Sequence, residues 1–142
     1  MAAVSRIQAM LGGEAVTGRL GSDLDLMRVV RQGLPTAAVD SFLEHTHLPF
    51  QAIEESVVAR RTFKRRQQEA KPLEPAESDR LVRLARLVAM AEETFGPDKG
   101  LAWLLRDNRV LGGHTPLSLA DTDQGVRSVE TLLGRIGHGI AA

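Results

Sequence analysis

The residues from Pro75 to Phe95 place the tightest constraint on how this chain folds. Leu81, Leu84, Ala85, Val88, Ala91 and Phe95 recur at steps of three and four, with Arg80, Arg83 and Arg86 on another face. That is the period of an amphipathic helix, and Gly96-Pro97 stops it. Nothing comparable with period two appears, and there is no repeat or low-complexity tract. Aromatic residues are only 4% of the sequence. β-branched runs are scarce while Ala, Leu, Arg and Glu abound, which favours helix over strand. The expected fold is all-α.

The densest local pattern follows, from Leu101 to Gly139. Pro97 suits the first turn of a helix carrying Leu101, Trp103, Leu104 and Leu105, and Asp107-Asn108 breaks it. Trp103 reads as a buried core anchor. Arg109 to Pro116 is a connection in which Gly112-Gly113 permits backbone angles that a side chain would forbid. Thr115-Pro116 opens a short helix through Leu119, and Asp121 and Gln124 have capping-box spacing. In the last helix Val126, Val129, Leu133, Ile136 and Ile140 make one apolar stripe.

Taken together, the tryptophan helix, Asn108-Arg109-Val110-Leu111-Gly112-Gly113, Thr115-Pro116-Leu117, Thr122-Asp123-Gln124-Gly125, Val129-Glu130 and Leu132-Leu133-Gly134-Arg135-Ile136 resemble the C-terminal toxin-binding domain of the Xre/MbcA/ParS-like antitoxins. The resemblance fixes residue types at many positions over some forty residues. It implies a RES-domain toxin as partner, a toxin class that consumes NAD, and a DNA-binding helix-turn-helix module ahead of the toxin-binding domain.

The upstream half has its own pattern of short helices and breakers. Residues 1–22 are weakly patterned, with a helical turn or two around Val4 to Leu11 and glycines as breakers, and are expected to form a mobile or loosely docked arm. Ser22 or Asp23 caps a helix holding Leu24, Met27 and Val30 and ending at Gly33. Another helix follows Leu34-Pro35, with Ala38, Phe42 and Leu43 inward, ending near His45 to His47. Pro49 to Ser56 is a short helix with Phe50, Ile53 and Val57 on its apolar side. After a break at Val57-Val58, Arg60, Arg61, Lys64, Arg65 and Arg66 stand against one acid, Glu69, with Phe63 as the inward anchor.

A short helix, a tight turn and a basic helix are the order of a helix-turn-helix, whose second helix enters the major groove. Arg60, Arg61, Thr62, Lys64, Arg65 and Arg66 are the candidate DNA-binding residues. Composition alone makes a solvated helix face an equal reading of this run. The segment also resembles the Xre-type module, where a Thr-hydrophobe pair precedes paired arginines, here Thr62-Phe63 and Arg65-Arg66. It departs from that pattern in lacking a turn glycine at Ser56 to Val58 and in carrying Glu54-Glu55 before the turn. Lys71-Pro72-Leu73-Glu74-Pro75 is a stiff link, giving expected domains of 23–72 (helix-turn-helix) and 73–142 (toxin binding).

Composition narrows the function classes. The 142 residues carry formal net charge zero, so affinity for nucleic acid must come from a local patch. There is no cysteine, which rules out disulfides and thiolate metal sites. No stretch approaches the roughly 20 apolar residues of a membrane span, and no apolar signal core opens the chain, so a cytoplasmic protein without a membrane partner is expected. His45, His47, His114 and His138 lack same-face metal spacing. No catalytic residue, metal ligand or cofactor is expected, and the Gly134, Gly137 and Gly139 run follows a helix instead of joining a strand to one.

Two readings remain open. In the first, which the resemblance implies, the chain is a type II antitoxin: residues 73–142 block a RES toxin while a homodimer, within a larger toxin–antitoxin complex, binds operator DNA. Arg135, His138, Gly139, Ile140, Ala141 and Ala142 are then the toxin-binding residues, the small apolar tail and its carboxylate filling space that a NAD phosphate or ribose would take. From composition alone, the same tail is equally a frayed end. In the second, the chain is a stand-alone helix-turn-helix regulator whose C-terminal half only oligomerises.

Overall fold

A computed structural model describes residues 2–139, and among them the chain is all-helical, with no strand. The helices are α1 (Ala2–Met10), α2 (Glu14–Thr17), α3 (Asp23–Gln32), α4 (Ala37–Thr46), α5 (Gln51–Glu54), α6 (Arg60–Glu69), α7 (Pro75–Phe95), α8 (Pro97–Leu104) and α9 (Asp123–Gly137). Two 3-10 turns, Arg109–Leu111 and Leu117–Asp121, lie between α8 and α9. Contacts divide the chain into two compact units, residues to Ala85 and residues from Arg86. The division falls inside α7, beyond the Lys71–Pro75 link.

In the N-terminal unit α1 is a packed element, and not the loosely docked arm that its weak pattern suggested. Val4, Ile7, Met10 and Leu11 share one face and are buried, the last three completely. α1 lies against α4 and α2, and Ser41 Oγ donates to the Met10 carbonyl at 3.0 Å. The glycines read as breakers only end the helix: Gln8 Nε2 reaches across to donate to the Gly18 carbonyl at 2.8 Å.

Ser22 caps α3 as expected, its Oγ accepting from the Asp25 N–H at 3.2 Å. The inward face is Leu26 and Val29, however, while Leu24 and Met27 are exposed. Both sets have helical spacing, so the pattern of α3 alone left its rotation undecided. Gly33 ends the helix at φ 90°, and a Cβ there would lie 2.3 Å from the Leu73 carbonyl oxygen. That close approach carries a small buried lattice: Leu73 N–H donates to the Leu34 carbonyl at 2.8 Å, and Leu34 N–H donates to Ser78 Oγ at 2.8 Å. The first half of α7 is thereby tied to the N-terminal unit.

The helix-turn-helix is α5, residues 55–59 and α6. Ile53, Val57, Val58 and Phe63 are buried beneath it. Its turn needs no glycine, because outside glycine positive φ occurs, among the described residues, only at His47 and Ala70. The free carbonyl of Val57 is instead taken by the Arg80 guanidinium at 3.1 Å. A residue that the sequence left without a role thus holds the turn.

In the C-terminal unit Leu104, completely buried, is the anchor of α8. Trp103 is only half-buried, its ring 5.5 Å from that of Phe95, which corrects the reading of it as a core anchor. Neighbours on a helix point about 100° apart, so only one of the pair can face the core. Gly112 and Gly113 take φ 71° and 85° as expected. The cap of α9 is Thr122, whose Oγ1 accepts from the Gly125 N–H at 2.9 Å, one residue later than the Asp121 spacing suggested. Gly125 is demanded by packing: a Cβ there would lie 1.9 Å from the Leu119 carbonyl oxygen. The buried residues of α9 are Val126, Val129, Leu132 and Leu133; Ile136 is half-buried.

Candidate functional site

Two faces concentrate the chemistry, one in each unit. On α6 a single buried residue, Phe63, turns the rest of the helix outward. Arg61, Lys64, Arg65 and Gln68 follow steps of three and four and are exposed along one face. Arg61, Lys64 and Arg65 make no ion pair among the described residues. No side chain caps the N-terminus of α6, where Ala59 is extended, so its first-turn N–H groups and the positive end of the helix dipole are available to an anion.

The other candidates on this helix are placed differently. Arg60 lies 5.1 Å over the Phe50 ring and 3.9 Å from Glu54, so that acid is partly neutralised before it can repel phosphate. Phe50 in turn packs on Phe63 with centroids 5.2 Å apart. Thr62 is half-buried. Arg66 is turned inward: its side chain is 11% exposed, paired with Glu77 and 3.6 Å from Glu74. Glu77 also accepts the Glu74 N–H at 2.8 Å, so one carboxylate joins the end of α6 to the start of α7. Nearby, burial raises the Asp40 carboxyl above its ordinary range, opposed by a hydrogen bond from Gln67 at 3.1 Å.

In the C-terminal unit the polar side of α9 forms one wall of a cleft of about 530 Å³. Arg127, Ser128, Thr131, Leu132 and Arg135 come from the helix, and Val110, Leu111 and Leu119 from the two 3-10 turns. Arg127 is paired with Asp123 at 2.9 Å, while Arg135 is exposed and has no ion pair among the described residues. Val110, 57% exposed, stands between this cleft and a smaller one of about 290 Å³ that reaches Trp103, Arg106 and Arg109. The Asn108 side chain braces the intervening turn by accepting from the Val110 N–H at 3.0 Å.

Of the residues expected to bind a toxin, Arg135 therefore lines a cleft. His138 is exposed with Nδ1 2.6 Å from the Gly134 carbonyl, folded back on its own helix. Gly139 is exposed at φ 74°, and Ile140, Ala141 and Ala142 lie outside the described residues. Sequence reasoning passed over Val110, Arg127, Ser128 and Thr131. A signal for three of them was present, since Arg127, Ser128, Thr131 and Arg135 share the side of α9 away from its apolar stripe. Among the described residues no group of three or more His, Asp or Glu could hold a metal, and no helix is long and apolar enough to cross a membrane.

Comparison with known proteins identifies both units. Residues 25–86 match the antitoxin Xre-like helix-turn-helix domain, and residues 90–139 match the antitoxin Xre/MbcA/ParS C-terminal toxin-binding domain. The chain is similar to antitoxin Xre of Pseudomonas putida, 32% identical over 95% of this chain and 82% of that one. It is also similar to antitoxin Xre of Yersinia enterocolitica, 30% identical over 81% of this chain and 80% of that one. A more distant relative, 26% identical over 85% of this chain and 83% of its own length, is the Prs ADP-ribosylating antitoxin of a Sphingobium species. The basic helix after a buried turn and the cleft beside α9 are thus features of two matched domains, and the chain belongs to the Xre family of type II antitoxins, non-enzymatic proteins that join a helix-turn-helix to a toxin-binding domain.

Proposed function

We propose that this chain neutralises a RES-domain toxin by covering its active site, and that it represses its own operon by binding DNA as a homodimer. The observation that carries the first part is Arg135, an exposed cation with no ion pair among the described residues, in a cleft with an apolar floor inside the region matched as toxin-binding. A partner surface with a carboxylate beside an apolar side chain fits this cleft: the apolar group rests on Leu111, Leu119 and Leu132, and the carboxylate meets Arg135. The residues that follow α9, from His138 through Ala142, are the segment that we assign to the toxin's substrate site. Exclusion of NAD is steric, and no bond is made or broken by this chain.

For DNA, the support is that Arg61, Lys64 and Arg65 project together from the second helix of a helix-turn-helix, with the helix N-terminus free for a phosphate. Arg60 adds charge at the edge, and Thr62 lies at the start of the same helix. Arg66 acts on this reading by fixing α6 in place. Both activities belong to the cytoplasm, where operator and NAD are found.

Co-expression with a RES-domain toxin tests the central reading, with growth and cellular NAD as readouts. The intact chain restores both and co-purifies with the toxin. Arg135→Glu and deletion of Gly139 to Ala142 each lose protection while melting as the parent does. Full protection by both variants would sink the occlusion mechanism. Failure of the intact chain to bind any RES toxin, with operator binding retained, would favour a stand-alone regulator.

A further inference from the structure

The N-terminal unit leaves one apolar helix face uncovered. Leu24 is 70% exposed and Met27 42%, on the side of α3 opposite the buried Leu26 and Val29. At 3.6 residues per turn, Asp23, Leu24, Met27, Arg28 and Arg31 fall within an arc of about 140°. Arg28 is engaged within its own chain, 3.6 Å from Asp25 and 3.5 Å from the Arg19 carbonyl. Asp23 and Arg31 are exposed and make no ion pair among the described residues. They lie at opposite ends of the face, each four residues from Met27.

The uncovered arc is acidic at one end, apolar in the middle and basic at the other, so it is complementary to itself turned end for end. We propose that α3 pairs antiparallel with α3 of a second copy of this chain, around a twofold axis passing beside Met27. Met27 then meets its counterpart, Leu24 covers the flank, and Asp23 faces Arg31 of the second copy twice, as an isologous contact requires. A parallel arrangement would set like charges against each other at both ends, which selects the antiparallel one. One helix face is smaller than the roughly 800 Å² per partner of a standard interface, so the association is weak and concentration-dependent. The inference rests on the homodimer proposed above, to which it assigns a surface.

Because the chain has no cysteine, single substitutions report the pairing directly. Under mild oxidation Met27→Cys crosslinks to itself. A mixture of Asp23→Cys and Arg31→Cys crosslinks between the two variants in preference to either with itself, and Gln68→Cys on α6 serves as the background. In sedimentation over a range of concentrations, Met27→Glu weakens self-association at least about tenfold with an unchanged melting curve. Asp23→Arg and Arg31→Asp each weaken it severalfold, and the double variant recovers. Both charge changes oppose the helix dipole, so recovery cannot come from helix stability.

A dimer by sedimentation, with Met27→Cys no better than background, would overturn this surface while leaving the homodimer standing. A monomer at every concentration with no specific crosslink would overturn both. Preferential self-crosslinking of Asp23→Cys would overturn the antiparallel register.

Discussion

Helices α6 and α9 each carry the candidate site of one unit, and they are held by opposite means. α9 buries four aliphatic side chains, Val126, Val129, Leu132 and Leu133, and presses Gly125 against the preceding turn. α6 buries Phe63 alone and is otherwise fastened by polar ties: Arg66 to Glu77 and Glu74, Gln67 to Asp40, and, for its turn, Arg80 to Val57. The difference follows from what each face must present. A helix with five cations along ten residues has little apolar surface left to bury, so charge must both hold it and equip it. α9 keeps its cations on one side and its aliphatics on the other.

The contrast between α6 and α9 is greatest at their buried anchors, Phe63 and Leu133. Phe63→Ala should cost about 3–5 kcal/mol and Leu133→Ala about 2–5 kcal/mol, both being large-to-small changes at buried sites. The first should release the whole basic helix, because nothing else apolar holds it; the second should only loosen α9. Amide hydrogen exchange resolved by segment checks this, and equal protection of α6 and α9 in the two variants would end the contrast. Gly125→Ala should destabilise the C-terminal unit by about 2–4 kcal/mol, since the added carbon has no room beside Leu119. Chemical denaturation measures that loss, and a variant as stable as the parent would show that the turn before α9 yields easily.

A smaller effect sharpens the polar side of the contrast. Arg66→Ala leaves Glu77 without its main partner and should cost about 1–2 kcal/mol, less than a fully buried pair because both side chains retain some contact with water. Added salt should narrow the gap between parent and variant, whereas the Leu133→Ala gap should be insensitive to it. Lys64→Ala and Arg61→Ala should leave stability within about 0.5 kcal/mol. On operator DNA each should lower affinity and reduce the salt slope by about 1. Binding unchanged at both positions would remove α6 from the DNA contact.

The smallest effect concerns pH. Burial raises the folded-state pKa of Asp40, so its charged form is the less favoured one in the folded chain. Its favourable contribution is present below the unfolded carboxylate value and is lost as pH rises through the raised folded value. Asp40→Asn should therefore melt no lower than the parent at neutral pH and lose the parent's gain on acidification across that window. Melting temperatures over a pH series check the sign.

The helices were legible because periodicity is local: α7 was readable to its end residues, and the stripe of α9, the break at Gly96-Pro97 and the buried role of Phe63 all lie within short windows. The resemblance that pointed to antitoxins was also carried by contiguous residues, Asn108 to Gly113 above all. Less legible was anything that two distant segments decide together. Residues 1–22 looked weakly patterned because α1 offers only Val4, Ile7, Met10 and Leu11, yet those four suffice once α4 provides the opposing surface. Leu26 and Val29 could not be told from Leu24 and Met27 without knowing which side α3 turns inward.

At the site, residue types alone determined that the second helix of the N-terminal half is cationic, and the resemblance carried by contiguous residues pointed to the toxin-binding domain that follows. Tertiary structure decided which cations are free. Arg66 and Arg61 are chemically alike and lie on one short helix, yet Glu77 stands beside one, and the other makes no ion pair among the described residues. A charge declares its sign in the sequence, but whether it is already paired depends on which side chain another helix brings within a few ångströms, and that is settled only when the helices pack.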